Sequence, residues 1–202
     1  MRDCSLLIDC SGNPFILGLM GNDGKWREFF KSQAQKDFFP VLHELLQRHN
    51  GKLSEIKNFI ICMGPGSYTG LRQAYIFSQT LSLDQKNVYY FYHADFLKKL
   101  SHVTIKTYVA NAFKNTVFIQ NLEKEQAGEL VLLESALSSL RTSSPMAGKA
   151  HSAYENIEGF YQIDDLYEQN AAIFQKIMSA EFSEAKPVNY FRSAEVEFPN
   201  FK

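Results

Sequence analysis

The chain opens with two short apolar runs set off by turn residues. Cys4-Ser5-Leu6-Leu7-Ile8-Asp9-Cys10 ends at Ser11-Gly12-Asn13-Pro14, and Phe15-Ile16-Leu17-Gly18-Leu19-Met20 ends at Gly21-Asn22-Asp23-Gly24. Runs of this length between such breaks predict an antiparallel hairpin. A third strand over 25–31 extends it to a meander, because the turn at 21–24 holds residues that tolerate positive φ. The period then changes. Between 37 and 49 the apolar positions are Phe38, Phe39, Val41, Leu42, Leu45 and Leu46, a 3.6-residue stripe closed by Asn50-Gly51. This predicts a helix starting near Lys36 or Asp37, with Pro40 in its first turn.

A helical turn over 53–57 leads into Phe59-Ile60-Ile61-Cys62-Met63, a strand apolar on both faces as in a parallel sheet. The glycine loop that follows, a helix to about Leu83 and a strand over 88–92 complete a βαβ unit with a right-handed crossover. Beyond it the pattern predicts a short helix over 93–100, strands over 105–110, 117–122 and 130–133, and a short helix over 134–140. A long helix is expected over 164–180, with Leu166, Ala171, Phe174, Ile177 and Met178 on its apolar side. The tail from Phe182 reads as an extended arm. A break near Ser101 divides the chain into lobes 1–101 and 102–202, the second of them thin. No internal repeat or low-complexity run interrupts either.

Composition narrows the classes. With 202 residues, 45% hydrophobic and 21% charged, the chain is an ordinary globular protein able to build its core without crosslinks. Its 21 Lys and Arg against 22 Asp and Glu give a net charge of −1, which argues against direct nucleic-acid binding. Cys4, Cys10 and Cys62 are odd in number and form no CxxC pair, so they read as buried thiols of a reducing cytosol. No leader pattern and no apolar run of about 20 residues is present, which places the protein in the cytoplasm and off the membrane.

The loop Gly64-Pro65-Gly66-Ser67-Tyr68-Thr69-Gly70-Leu71-Arg72 lies where backbone N–H groups could greet an anion. It lacks the lysine of a phosphate loop, and its glycine spacing is one residue too long for the dinucleotide fingerprint. A tight turn with Ser67 or Thr69 capping the helix is the plainer reading. Gly66, Gly70, Ala74 and Ser78 recur every four residues, a stripe that admits a close neighbour, either internal core or a partner's helix. His43, His49, His93, His102 and His151 show no metal-binding spacing and read as surface or capping residues. Asp9, ending the first strand, reads as a turn cap.

The run 64–72 after a buried strand resembles the signature of the TsaB (YeaZ) family, the non-catalytic companion of the enzyme that makes N6-threonylcarbamoyladenosine in tRNA. Leu7-Ile8-Asp9-Cys10-Ser11 resembles that family's first strand, Phe38-Phe39-Pro40-Val41-Leu42-His43-Glu44-Leu45-Leu46 its first helix, and Pro187-Val188-Asn189-Tyr190-Phe191-Arg192 its C-terminal motif. The chain departs from the pattern at Ala34-Gln35, at Tyr68, at the short turn 12–14 and at Ala110-Asn111-Ala112-Phe113. The resemblance implies an α/β protein of the actin-like, sugar-kinase-type (ASKHA) fold, with two ribonuclease-H-like lobes, the second reduced. It implies a scaffold with no catalytic residue, cofactor or metal, pairing with a TsaD-like catalytic subunit, or with itself as a homodimer when alone. A TsaE-like ATPase would complete the assembly, and tRNA would be met only through it. The interface would comprise Phe38, Val41, Leu42, Leu45, Leu46, Gly70, Leu71, Arg72, Ala74, Tyr75 and Ser78, beside the loop Gly64, Pro65, Gly66, Ser67, Tyr68 and Thr69. An active actin-like enzyme, a peptidase or small-molecule kinase, is the alternative. Against it stand the missing phosphate loop after residue 101 and the absence of a His/Asp pair for Ser67.

Overall fold

The computed structural model describes residues 4–32, 38–112, 115–124, 128–142, 144–149, 151–178 and 188. Within them the chain builds two five-stranded mixed sheets. The first contains β1 (Cys4–Asp9), β2 (Phe15–Gly21), β3 (Trp26–Ser32), β4 (Asn58–Cys62) and β5 (Asn87–Phe91), in the order β3-β2-β1-β4-β5. The first three strands are antiparallel, and β4 and β5 join β1 in parallel. Helix α1 (Phe38–Arg48) links β3 to β4, and α2 (Tyr68–Leu83) links β4 to β5. The expected meander and βαβ unit are both present.

The second sheet holds β6 (Thr107–Asn111), β7 (Thr116–Asn121), β8 (Glu129–Leu132), β9 (Met146–Gly148) and β10 (Phe160–Gln162) in the order β10-β9-β6-β7-β8. Counted from its own first strand, it repeats the order and strand directions of the first sheet. The sequence reading missed β9 and β10: at three residues each they are too short to show a period, and sheet pairing alone defines them. The long helix expected over 164–180 is two, α5 (Ile163–Gln169) and α6 (Ala172–Ile177). They part at Asn170, whose side-chain N–H donates to the Leu166 carbonyl at 2.9 Å and competes with the helical backbone. The expected helix start at 36–37 and the arm from 182, Val188 apart, lie outside the described residues.

Alternation along β1 explains why this strand is apolar throughout. Leu6 and Ile8 pack with Phe38, Leu42, Leu45 and Ala74 under α1 and α2, whereas Leu7 faces the other way with Ile60, Tyr108, Phe118 and Phe174. The first sheet is thus covered on both faces, and its second covering comes from the other half of the chain. Phe174 of α6 is central there, with ring centroids 5.6 Å from Trp26, 5.5 Å from Phe91 and 5.1 Å from Phe96. α3 (His93–Leu97) closes this layer, and α4 (Leu133–Thr142) covers the far face of the second sheet. Among the described residues no helix is long and apolar enough to cross a membrane.

Candidate functional site

The two helices on the first sheet show their small and aliphatic stripes inward. Gly70, Leu71, Ala74 and Ser78 of α2 are buried, as are Phe38, Leu42, Leu45 and Leu46 of α1. These eight residues, expected at a partner interface, belong to the chain's own core, because an amphipathic stripe first satisfies the sheet beneath it. Val41 is half-buried, while Arg72 and Tyr75 are exposed. What faces outward is a different set. Phe39 is 57% exposed and Ile76 56%, and with Tyr68, Arg72, Phe77 and Thr80 they line a groove of about 640 Å³ between α1 and α2. Edge-on contacts of Phe77 with Phe38 and Phe39, at 5.5 and 6.1 Å, fix its floor. Arg72 is the charged group on its wall. The sequence signal for the α1 side of this face was the adjacency of two aromatic residues: Phe39 follows Phe38 directly and cannot share its side.

The glycine loop is buried structure. Gly64, Pro65 and Gly66 are all buried. The Ser67 N–H donates to the Ser11 carbonyl at 2.6 Å, and the His93 N–H donates to the Gly64 carbonyl at 3.0 Å, so the loop seals the ends of β1 and β5. A Cβ on Gly66 would lie 2.3 Å from the Ser11 oxygen, which is why glycine stands there. Ser67 occupies the N-cap position of α2, yet its hydroxyl makes no capping bond, contrary to the sequence expectation. Tyr68 and Thr69 open the groove.

Between the two sheets lies a cluster that sequence reading did not assemble. Asp9 at the end of β1 takes the Ser11 N–H at 2.8 Å, the expected turn cap. It also faces the Lys149 ammonium at 3.4 Å, and that ammonium donates to Asp164 at 3.2 Å and to the Pro14 carbonyl at 3.2 Å. His93, read as a surface or capping residue, is wholly buried between Ser11 Oγ, 2.9 Å from Nε2, and Tyr167 Oη, 2.6 Å from Nδ1. Burial would raise the Asp9 carboxyl, but Lys149 and Ser11 bring it down to about 2. Burial lowers His93 to about 4 and pushes the Cys62 thiol well up. Burial also opposes the charge of Lys149, yet Asp9 and Asp164 hold its pKa above the ordinary lysine value. Beyond the Asp9 turn cap nothing local marked the cluster, since its members come from three separate stretches of the chain, 9–11, 93 and 149–167.

Chemically, Ser11 and His93 have nucleophile–base spacing, but both are sealed from solvent. Potential ligand atoms of Asp9, Cys62 and His93 lie within 4.8 Å of one another. They do not fit a metal while Lys149 is in place: both imidazole nitrogens are engaged, the thiol is held protonated, and the carboxylate already faces a cation.

No known family's sequence profile matches the chain, and no curated protein matches it. Solved structures do. An uncharacterized protein with similarity to peptidase YEAZ from Pseudomonas aeruginosa is similar over 94% of this chain and 100% of its own, with TM-score 0.60 and 18% identity. YeaZ from Pseudomonas aeruginosa is similar over 92% of this chain and 99% of its own, with TM-score 0.58 and 17% identity. The fold is YeaZ-like. The likeness spans nearly the whole chain.

Proposed function

We propose that this chain is a TsaB-like scaffold, a non-catalytic subunit of the assembly that forms N6-threonylcarbamoyladenosine at position 37 of tRNA. It binds and stabilises a TsaD-like catalytic subunit, works beside a TsaE-like ATPase in the cytoplasm, and meets tRNA only through the complex. Its two lobes, 1–101 and 102–202, are ribonuclease-H-like halves of an actin-like fold. The repeated strand order of the two sheets supports this reading.

The observation that carries the proposal is the open apolar groove of Phe39, Ile76 and Phe77 beside Arg72. Large apolar side chains left in water next to one cation suit a partner helix with an acidic rim group. The same groove would seat a second copy when the partner is absent. The interior supports a non-catalytic role, because the space between the halves is occupied by Lys149, His93 and Tyr167. A hydrolase reading rests on the Ser11–His93 pair and predicts turnover abolished by Ser11→Ala.

Ile76→Asp should keep the wild-type melting temperature and lose at least about tenfold in affinity for the TsaD-like subunit, the effect of roughly 1.4 kcal/mol. Unchanged affinity would remove this interface. Depletion of the protein should lower threonylcarbamoyladenosine in tRNA hydrolysates measured by mass spectrometry; normal abundance would remove the pathway.

A further inference from the structure

Lys149 follows β9 in the second half of the chain, yet its ammonium ends in the first half. Its stem runs over Gly12, where an added Cβ would lie 3.3 Å from Cγ and 3.5 Å from Cε. A methyl at Gly12 would therefore press on the stem, which would have to give by a few tenths of an ångström. At its end three oxygens converge on Nζ: Pro14 O and Asp164 Oδ1 at 3.2 Å, and Asp9 Oδ2 at 3.4 Å. The ammonium donates hydrogen bonds to the Pro14 and Asp164 oxygens, while Asp9 Oδ2 faces it as a charge partner without a hydrogen bond. The side chains of Lys149, Asp9 and Asp164 are only 7%, 0% and 6% exposed.

A second observation sets this place apart from an ordinary buried ion pair. The two buried side-chain atoms without a hydrogen-bond partner among the described residues are Asp9 Oδ2 and Tyr108 Oη. Both belong to this cluster, and Asp9 acts on the Tyr108 hydroxyl. Two carboxylates and a carbonyl, all oxygen donors, make the kind of surroundings that hard cations take. One carboxylate comes from each half, so whatever cation sits between them ties the halves together.

We propose that Lys149 is a built-in cation: its ammonium fills an oxygen-lined seat between the halves that would otherwise take a free cation. The halves are therefore joined without a ligand. This goes beyond the docking reading and is measured on the isolated chain, so its failure leaves that reading untouched.

The full-length Lys149→Ala variant empties the seat. Its melting temperature should fall, and ethylammonium chloride should recover it where tetramethylammonium chloride, which has no N–H donors, does not. Its affinity for Mn²⁺, followed by electron paramagnetic resonance, should exceed that of the wild type by at least about tenfold. Folding of this variant only with ethylammonium or Mn²⁺ present would equally support the seat. Lys149→Met keeps the stem and removes the charge, leaving two buried carboxylates in mutual repulsion. Adding Asp164→Asn to it should then raise the melting temperature. The proposal falls if Lys149→Met is as stable as the wild type. It also falls if Lys149→Ala gains neither Mn²⁺ affinity nor recovery by ethylammonium, or if Asp164→Asn brings Lys149→Met no gain.

Discussion

His93 sits where a charged imidazole would have no water, stacked 4.8 Å from Tyr108 and bonded to Ser11 and Tyr167. Its folded pKa of about 4 lies below the unfolded value near 6.5. Between those values the unfolded chain binds the extra proton, so stability is intact above pH 6.5 and is lost as pH falls toward 4. The loss is on the order of 3 kcal/mol for this one group. Urea unfolding at pH 7 and pH 4.5 should show it, and His93→Gln, less stable at pH 7, should show a shallower fall; parallel profiles would assign the acid limb elsewhere. Asp9, lowered to about 2, adds its own loss only below pH 3.8. The Tyr108 hydroxyl beside them is buried without a partner. Tyr108→Phe removes an unsatisfied group rather than a bond, so it should be neutral or stabilise by about 1 kcal/mol; a loss above that in chemical denaturation would mean the hydroxyl has a partner.

Among the elements, α1 and α2 separate what a sequence reveals from what it hides. The 3.6-residue stripe of α1 was legible, and so was its helix, because burying an apolar face is what selects the period. The same stripe misled about docking: Leu45 and Ala74 read as contact residues and are fully buried against the sheet. Leu45→Asp should therefore cost at least about 3 kcal/mol and unfold the protein, whereas Ile76→Asp on the outer face should shift stability by less than about 0.5 kcal/mol. Circular dichroism melts of the pair decide between the two faces. Gly66→Ala belongs with the first, since its methyl meets the backbone of Ser11 rather than a side chain that could turn away. The long apolar strands β1, β2 and β4 were visible for the same reason as α1. β9 and β10 were not, because Met146-Ala147-Gly148 and Phe160-Tyr161-Gln162 owe their form to neighbours distant in sequence. The Lys149 cluster was hidden in the same way: lysine and aspartate are surface residues by default, and only the closing of the two sheets turns them inward.

For the whole molecule, the decisive feature is that the interior face of the first sheet is finished by α5 and α6 of the second half. Trp26, Phe91 and Phe96 from the first half meet Tyr167 and Phe174 from the second, and the Trp26 indole N–H donates to the Tyr167 carbonyl at 3.1 Å. Lys31 of β3 reaches across to Asp165 and Glu168, at 2.6 and 2.9 Å. These exposed ion pairs add little, so cohesion between the halves rests on the aromatic layer and on the buried Lys149 cluster. A layer owned by neither half cannot melt piecemeal. Unfolding should then be a single transition seen identically by Trp26 fluorescence, which reports the contact between halves, and by far-ultraviolet circular dichroism, which reports both sheets. Phe174→Ala removes the ring that touches Trp26, Phe91, Phe96 and Tyr167. It should cost about 3–5 kcal/mol and lower both signals together. Were the fluorescence change to precede the loss of ellipticity by several degrees, the halves would be separable units, and the shared layer would be a contact surface rather than a core.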